Sequence, residues 1–291
     1  MAILYSAQPF CTERMELGEG IVWDHINRRA LWVDIPSGRV LEADETGALL
    51  QALKLPDLAT TVVLAEGGSL IVSGARHVYR VERGGEAVAA IAALSQVPSG
   101  QRLNDGKCDS GGRLMVGSMM TAPGEPAGKL FSVSPDGEVR VLLEGLGCSN
   151  GIGFSPCGRY VYHIDTPTRQ VRRYAYDARS GSLSRPVVLV DVSRFEGVPD
   201  GMTVDAQGRM YIAMWGGSSV LGFDAGGELC LRIQLPCKQV TSCAFGGTAL
   251  EELLITTAGE GEEAANPYAG QVYRASVGAK GVPCYLFAGN K

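Results

Sequence analysis

The chain has 291 residues, a formal net charge of −5 at pH 7 and 39 glycines. The acidic balance argues against a basic surface for nucleic acid, and no apolar run is long enough to cross a membrane. The N-terminal MAILYSAQPF lacks the basic start and long apolar core of a secretory signal, so we expect a cytoplasmic protein.

One sequence pattern recurs six times along the chain: a short apolar run, a tight turn and a second apolar run. This pattern predicts two strands joined by a turn. In chain order the second runs are ALWVDI, SLIVSG, RLMVGS, RYVYHID, RMYIAM and ELLITTA. A third run follows each of them: GRVLEAD, RHVYRVE, GKLFSVS, RQVRRYA, SSVLGFD and GQVYRAS.

A fourth run completes most units, namely ALLQALKL, VRVLLEG, PVVLVDV and ELCLRIQL. The third runs recur at intervals of 38 to 52 residues, and a repeat of this length built from four short strands is typical of a β-propeller. Glycine, at about twice its usual frequency, suits the many tight turns. We predict an all-β, six-bladed β-propeller with four antiparallel strands per blade. Residues 1–291 should form a single domain, because no linker interrupts the repeat.

Two segments need a separate assignment. Residues 86–94 (EAVAAIAAL) have the alanine content of a helix, but their place in the repeat makes them the outer strand of the second blade. Residues 3–10 precede the first unit as outer strands precede the others. We predict that they supply the outer strand of the sixth blade and so close the ring.

Polar side chains stand at one position of every unit. Eight residues before each second-strand turn lie Glu19, Thr60, Asn104, Asn150, Asp200 and Ser242. Since the first strand of each blade lines the central channel of a propeller, we expect these side chains to form a ring at one mouth of that channel. All six carry oxygen.

Two carboxylates and two amides that converge on one axis suit a hard divalent cation. The alternative is that Asn, Asp and Gly are turn formers where each blade begins, which explains less well a Glu19-Gly20 pair at the same position.

The three histidines are too scattered for a zinc cage. The eight cysteines show no C-x-x-C spacing, which indicates reduced, mostly buried thiols.

Arg102 lies two residues before Asn104 and shares its face of an extended strand. Its guanidinium can either hold a ligand oxygen at the channel mouth or pair with a nearby acid such as Asp105. Trp215, which ends a second strand, is a candidate for the rim or floor of the pocket. Residues 119–121, after the equivalent strand of the third blade, are equally well explained as plain loop.

Five stretches occur in a specific order and spacing: LGEGIVWD, RLNDGKCDSGGRLMVGSM, SNGIGFSPCGRYVYHIDT, VPDGMTVDAQGRMYIAMWGG and AGQVYR. They resemble the senescence marker protein/gluconolactonase/luciferin-regenerating (regucalcin-like) family over about residues 17–274. The resemblance implies a six-bladed propeller with one divalent metal ion in its channel. It implies Glu19, Asn150 and Asp200 as metal ligands, Arg102 and Asn104 as substrate contacts, and Asp200 as general base.

One loop departs from that family. Some members place a glutamate after the third-blade strand, where it contacts sugar hydroxyls, whereas this loop reads SMMTAPGEP, with Met120 and Thr121. The sugar preference of those members therefore does not transfer to this chain.

The ring and the resemblance together predict a metal-dependent lactonase, a carboxylic-ester hydrolase (EC 3.1.1 class) that opens a sugar-derived aldonolactone to the aldonic acid. A bound cation would polarise the lactone carbonyl; calcium or zinc suits the site, as do manganese and iron(II). The alternatives are a hydrolase of another lactone, ester or phosphotriester, and a non-enzymatic calcium-binding regulator. We expect a small-molecule sugar lactone as substrate, no nucleic-acid or membrane partner, and a monomer or weak homo-oligomer.

Overall fold

The structure is a computed structural model that describes residues 2–85, 88–122, 124–262 and 266–289. Within these ranges the chain folds mostly into short β-strands, and its helical turns are two 3-10 helices, Glu66–Gly68 and Thr166–Thr168. No helix in these ranges has the length and apolar character needed to span a membrane.

Two strands precede the first blade: β1 (Ile3–Ser6) and β2 (Gln8–Cys11). The first blade contains β3 (Gly18–Asp24), β4 (Arg29–Asp34), β5 (Arg39–Asp44) and β6 (Leu49–Lys54). The second contains β7 (Thr61–Leu64), β8 (Leu70–Ser73), β9 (His77–Val81) and β10 (Val88–Ala93). The third contains β11 (Gln101–Cys108), β12 (Leu114–Met120), β13 (Gly128–Val133) and β14 (Val139–Leu146).

The fourth blade contains β15 (Ser149–Phe154), β16 (Tyr160–Asp165), β17 (Gln170–Asp177), β18 (Ser182–Leu183) and β19 (Val187–Asp191). The fifth contains β20 (Val198–Val204), β21 (Met210–Trp215), β22 (Ser219–Phe223) and β23 (Leu229–Gln234). The sixth contains β24 (Val240–Gly246), β25 (Glu252–Thr257) and β26 (Val272–Ser276).

The six sheets confirm the predicted six-bladed β-propeller of four-stranded antiparallel blades. In each blade the first strand is innermost, and these strands lie side by side around a central channel: β3, β7, β11, β15, β20 and β24. The fourth blade adds the short β18, since both β18 and β19 pair with β17. The outer strand of the second blade is β10, as predicted, although residues 86–87 of the predicted stretch lie outside the described residues.

The N-terminal strands close the ring in two ways. β2 pairs antiparallel with β26 and completes the sixth blade, which confirms the prediction for its part of the segment. The prediction is wrong for Ile3–Ser6, because β1 pairs parallel with β23 and extends the fifth blade. The outer edge of β23 would otherwise carry unpaired backbone groups, and β1 covers it. The chain passes from one blade to the next at Ala7, whose N–H donates to the Gln234 carbonyl over 3.0 Å.

The apolar cores lie between neighbouring blades. Trp32, Tyr211 and Tyr273 are fully buried in a cluster shared by the fifth, sixth and first blades. Phe131 is buried with Phe287, which the C-terminal segment inserts beside the second and third blades. Burial of one such side chain contributes about 1.5–3 kcal/mol. The blades therefore hold one another in place, and the central channel is left for polar side chains.

Candidate active site

β-Bulges position the side chains around the channel. The register between an innermost strand and its neighbour shifts directly after five residues: Glu19, Leu103, Asn150, Pro199 and Val240. A bulge re-aims the side chains next to it. As a result Asn104 and Asp105, which an unbroken strand would turn to opposite faces, are both buried, with 6% and 7% of their surface exposed.

Glycines next to the ring residues let neighbouring blades approach. A Cβ on Gly151 would lie 2.7 Å from the backbone oxygen of Asp200, and a Cβ on Gly201 would collide with the side chain of Ser242. Neither glycine has a positive φ. Close packing of β15, β20 and β24, rather than turn geometry, is therefore the reason for glycine at these two positions.

All six ring residues predicted from the repeat are buried. The structure brings Asn104 and Asn150 into contact, since Asn104 Nδ2 donates to Asn150 Oδ1 over 2.9 Å. It also places Glu19 close enough to Asp200 for its charge to raise the pKa of that carboxyl. These four side chains form one polar cluster.

The remaining two ring residues do not join that cluster through the hydrogen bonds of the described residues. Thr60 Oγ1 donates to the Ser73 carbonyl of its own blade over 3.2 Å. Ser242 lines a cavity of about 310 Å³ that extends along the later parts of the innermost strands and is bounded by residues 282–285. This cavity also has Trp23, Phe154 and Phe245 in its wall.

A directed chain of hydrogen bonds crosses three blades. Arg102 Nη1 donates to Asn104 Oδ1 over 2.6 Å, and Asn104 Nδ2 donates to Asn150 Oδ1. Asn150 Nδ2 donates to Thr166 Oγ1 over 3.0 Å, and the Thr166 hydroxyl donates to the Pro199 carbonyl over 2.8 Å. Arginine can only donate and a carbonyl can only accept, so the orientation of every group between them is determined.

The carboxyl groups of the channel are held close to one another in a buried space. Burial, followed by the charge of Asp105, raises the pKa of Glu19 to about 8, although the Gly20 N–H donates to its Oε2 over 2.7 Å. Burial and then the charges of Glu19 and Asp105 raise the pKa of Asp200 well above its ordinary value. A cation placed among these groups would relieve the cost of ionising them together.

Arg102 is the positive group that faces this cluster. Its pKa is lowered by burial, while the negative charges of Glu19 and Asp200 act in the opposite direction. Among the described residues, both of its hydrogen bonds use Nη1, one to Asn104 and one to the Leu103 carbonyl. Nη2 and Nε are thus available for a ligand oxygen.

The structure does not form the alternative pair between Arg102 and Asp105. Asp105 Oδ1 instead accepts from the Gly106 N–H over 2.7 Å. Asp105 and Thr166 both adjoin the cluster, Asp105 through its charge on Glu19 and Thr166 through its hydrogen bond with Asn150, and the sequence argument did not assign either of them to it. The bulge that buries Asp105 has no clear sequence signal, and Thr166 lies on another strand connection, after β16.

Three of the side chains considered from the sequence lie at or just after the ends of second strands: Met119 in β12, Thr121 directly after it and Trp215 at the end of β21. Met119 contacts the Cys148 thiol, with 3.8 Å between the sulfur atoms, and Cys148 in turn lies 3.9 Å from Asn104 Nδ2. Thr121 is exposed and its hydroxyl donates to the Gly100 carbonyl over 2.9 Å. Trp215 is half-buried at the end of β21.

The donor set fits a hard divalent cation. Glu19 and Asp200 supply carboxylate oxygens. Asn150 uses its Nδ2 to donate to Thr166, which leaves its amide oxygen, Oδ1, as the atom that can bind a cation. Across the described ranges, no three His, Cys, Asp or Glu side chains are grouped as a cation site. A site here would therefore combine carboxylates with an amide, as oxygen-preferring cations accept.

The fold and this polar cluster define a six-bladed β-propeller with a buried polar cluster, the candidate site, in its central channel. Residues 17–259 match the model of the SMP-30/Gluconolactonase/LRE-like region. The chain belongs to this family.

Individual relatives agree over nearly the whole chain. The pentonolactonase XacC of Haloferax volcanii is 38% identical over 92% of this chain and 93% of its own. Regucalcin of Danio rerio is 32% identical over 95% and 96%. The crystal structure of a calcium-binding protein, regucalcin, from Agrobacterium tumefaciens superposes with a TM-score of 0.93 at 27% identity, covering 99% of both chains.

Proposed function

We propose that this protein is a lactonase that hydrolyses a sugar-derived aldonolactone to the aldonic acid and requires one divalent cation. The observation that carries the proposal is the buried set of Glu19, Asn150 and Asp200, which lies within reach of Arg102: the charges of the two carboxylates act on its guanidinium, and Asn104 joins it to Asn150 by hydrogen bonds. The relative named pentonolactonase supports a lactone of this chemical class.

Glu19, Asn150 and Asp200 would hold the cation. When bound, it would supply Lewis-acid polarisation of the lactone carbonyl and make a nearby water more acidic. Calcium is the first choice, because a structural relative is described as a calcium-binding protein. Zinc, manganese and iron(II) also suit the same oxygen donors.

The chain's own groups account for the remaining chemistry. Asp200 accepts a proton from the attacking water, whose oxygen bonds to the lactone carbonyl carbon. The ring carbon–oxygen bond then breaks, and the leaving oxygen takes up the proton that Asp200 had accepted, so that one water is added overall and the carboxylate is regenerated. A cation bound by Asp200 would lower the pKa of this carboxyl, so Asp200 accepts a proton only from a water that the same cation has made more acidic.

Arg102 and Asn104 orient the substrate. Nη2 and Nε of Arg102 can hold a carbonyl or hydroxyl oxygen of the substrate. The positive charge of Arg102, fixed in a buried site, also stabilises the negative charge that develops on the carbonyl oxygen during attack. Asn104 fixes the guanidinium through its Oδ1. The two hydrogen bonds of Nη1 thus hold the Arg102 guanidinium in one orientation beside the cluster.

A second candidate is a calcium-binding regulator without turnover, which the relative named regucalcin favours. A pH-stat assay distinguishes the two, because lactone opening releases acid. A panel of pentono- and hexono-lactones is measured with each metal and after chelation. The lactonase proposal expects turnover that chelation abolishes and metal restores. Calcium binding without turnover of any lactone would support the regulator. Turnover of a phosphotriester or a simple ester, but of no lactone, would show that the protein is a hydrolase of that other substrate class.

A further inference from the structure

Thr166 occupies a junction between two blades beside the cluster. It begins the 3-10 helix Thr166–Thr168, directly after β16 of the fourth blade, and its N–H donates to the Cys148 carbonyl over 3.0 Å. Its hydroxyl lies between Asn150 of the same blade and the Pro199 carbonyl of the fifth, at 3.0 and 2.8 Å. The Thr166 side chain therefore contacts one proposed cation ligand, Asn150, directly and the residue that precedes another, Asp200.

The chemistry of the two neighbours dictates what the hydroxyl does. The Pro199 carbonyl can only accept, so Thr166 must give it its single proton. The Thr166 oxygen is then left with lone pairs only, and the Asn150 atom that faces it must be the NH2 group. The carbonyl oxygen of Asn150 consequently lies on the opposite side, where it accepts from Asn104.

An amide turned the other way would present NH2 to a cation, and NH2 is not a ligand. Asn104 fixes the Asn150 amide from one side and Thr166 fixes it from the other. The hydroxyl also tethers the carbonyl of Pro199, which is bonded directly to Asp200. One side chain thus sets the amide orientation of Asn150 and anchors the backbone that carries Asp200.

We propose that Thr166 is a positioning residue of the cation site, which aims the Asn150 carbonyl oxygen and holds the Asp200 backbone. The inference rests on the cation site of the proposed function, but it does not depend on the identity of the substrate. Groups that orient metal ligands typically affect metal affinity by about 10–100-fold.

The test compares Thr166→Val and Thr166→Ser with a matched control, Thr168→Val. Thr168 lies in the same 3-10 helix, and its hydroxyl donates to the Asp165 carbonyl over 2.7 Å rather than bonding to the Asn150 side chain. Each purified full-length protein is stripped with chelator and titrated calorimetrically with Ca²⁺ and with Zn²⁺, and its thermal unfolding is recorded without metal. If valine prevents folding, Thr166→Ala removes the same hydroxyl in its place.

We expect valine to weaken cation affinity about 10–100-fold, serine to retain affinity near that of the wild type, and Thr168→Val to leave it unchanged. Unchanged affinity in Thr166→Val, or an equal loss in Thr168→Val, overturns the positioning role. A wild type that binds neither ion overturns this inference together with the cation site. A wild type that binds cation but turns over no lactone overturns only the lactonase proposal.

Discussion

Glu19 and Asp200 are neighbours in the buried channel, where 6% and 7% of their surface is exposed, and burial followed by the charge of Glu19 raises the pKa of Asp200. Two such groups cannot both ionise without cost unless a positive charge stands near them. Arg102 supplies part of that charge. A divalent cation would supply the rest, and this expectation gives the first prediction.

Glu19→Gln and Asn150→Ala should each lose cation affinity and lactonase activity together, while the metal-free protein still folds. The blades are built by strand pairing and apolar packing that neither change disturbs. Saturating cation at about 100 times its Kd should stabilise the wild type by about 2.7 kcal/mol, and this gain should disappear in both variants. Thermal unfolding with and without metal measures it. Glu251→Gln, on an exposed side chain, is the control, and normal cation binding by Glu19→Gln would show that Glu19 is not a ligand.

Asp200→Asn should distinguish the two proposed roles of Asp200, cation ligand and general base. The amide keeps an oxygen for the cation and nearly the same volume, but it cannot accept the proton of the attacking water. We expect excess cation to restore occupancy but to leave turnover about 10²–10⁴-fold below the wild type, the usual contribution of a general base. Bound metal must be measured directly in each assay, because a poorly loaded site would mimic a missing base. Recovery of the wild-type rate at full occupancy would make Asp200 a ligand only.

His163 should make the protein sensitive to acid. It is fully buried, its Nε2 lies 2.8 Å from Ser149 Oγ, and burial followed by the charge of Arg172 lowers its pKa to about 3. In the unfolded chain its pKa returns to 6.5, so between these values the unfolded state binds one more proton than the native state. Stability should therefore fall as pH falls through this window, by up to about 1.4 kcal/mol per pH unit.

Denaturant unfolding at several pH values checks this contribution. In His163→Gln the slope of unfolding free energy against pH should be shallower than in the wild type, whatever the absolute stability of the variant. His77→Gln, on an exposed side chain, should keep the wild-type slope. Equal slopes of unfolding free energy against pH for the wild type and His163→Gln would show that His163 does not cause the acid sensitivity.

The two N-terminal strands should differ in their contribution to stability. β1 is a largely exposed edge, with 59% of Ile3 and 68% of Leu4 exposed, whereas β2 buries Phe10 and Cys11 and completes the sixth blade. Removing residues 2–6 should lower the melting temperature modestly. Removing residues 2–10 should cost at least about 3 kcal/mol, since it also empties the Phe10 site. Equal melting of the two truncated proteins would show that β2 does not seal the ring.

The sequence by itself determined the blades. Runs such as RMYIAM and SSVLGF, separated by turn residues, form neighbouring antiparallel strands because each hairpin depends only on local turns and period-two burial. It also indicated a polar ring, because a residue at a fixed place in every repeat stands at a fixed place in the channel. The four members Glu19, Asn104, Asn150 and Asp200 were identified in this way.

Tertiary structure decided what strand periodicity cannot encode. Asp105 joins Asn104 at the channel because a bulge breaks the alternation, and Thr60 turns back to Ser73 of its own blade. β1 joins the fifth blade because ring closure, with β2 in the sixth blade, brings the N-terminal segment beside the outer edge of β23. Thr166 reaches Asn150 and the Pro199 carbonyl because the fourth and fifth blades pack side by side. The amide orientation of Asn150 depends on Asn104, Thr166 and the Pro199 carbonyl, which come from three different blades and meet only where those blades pack together.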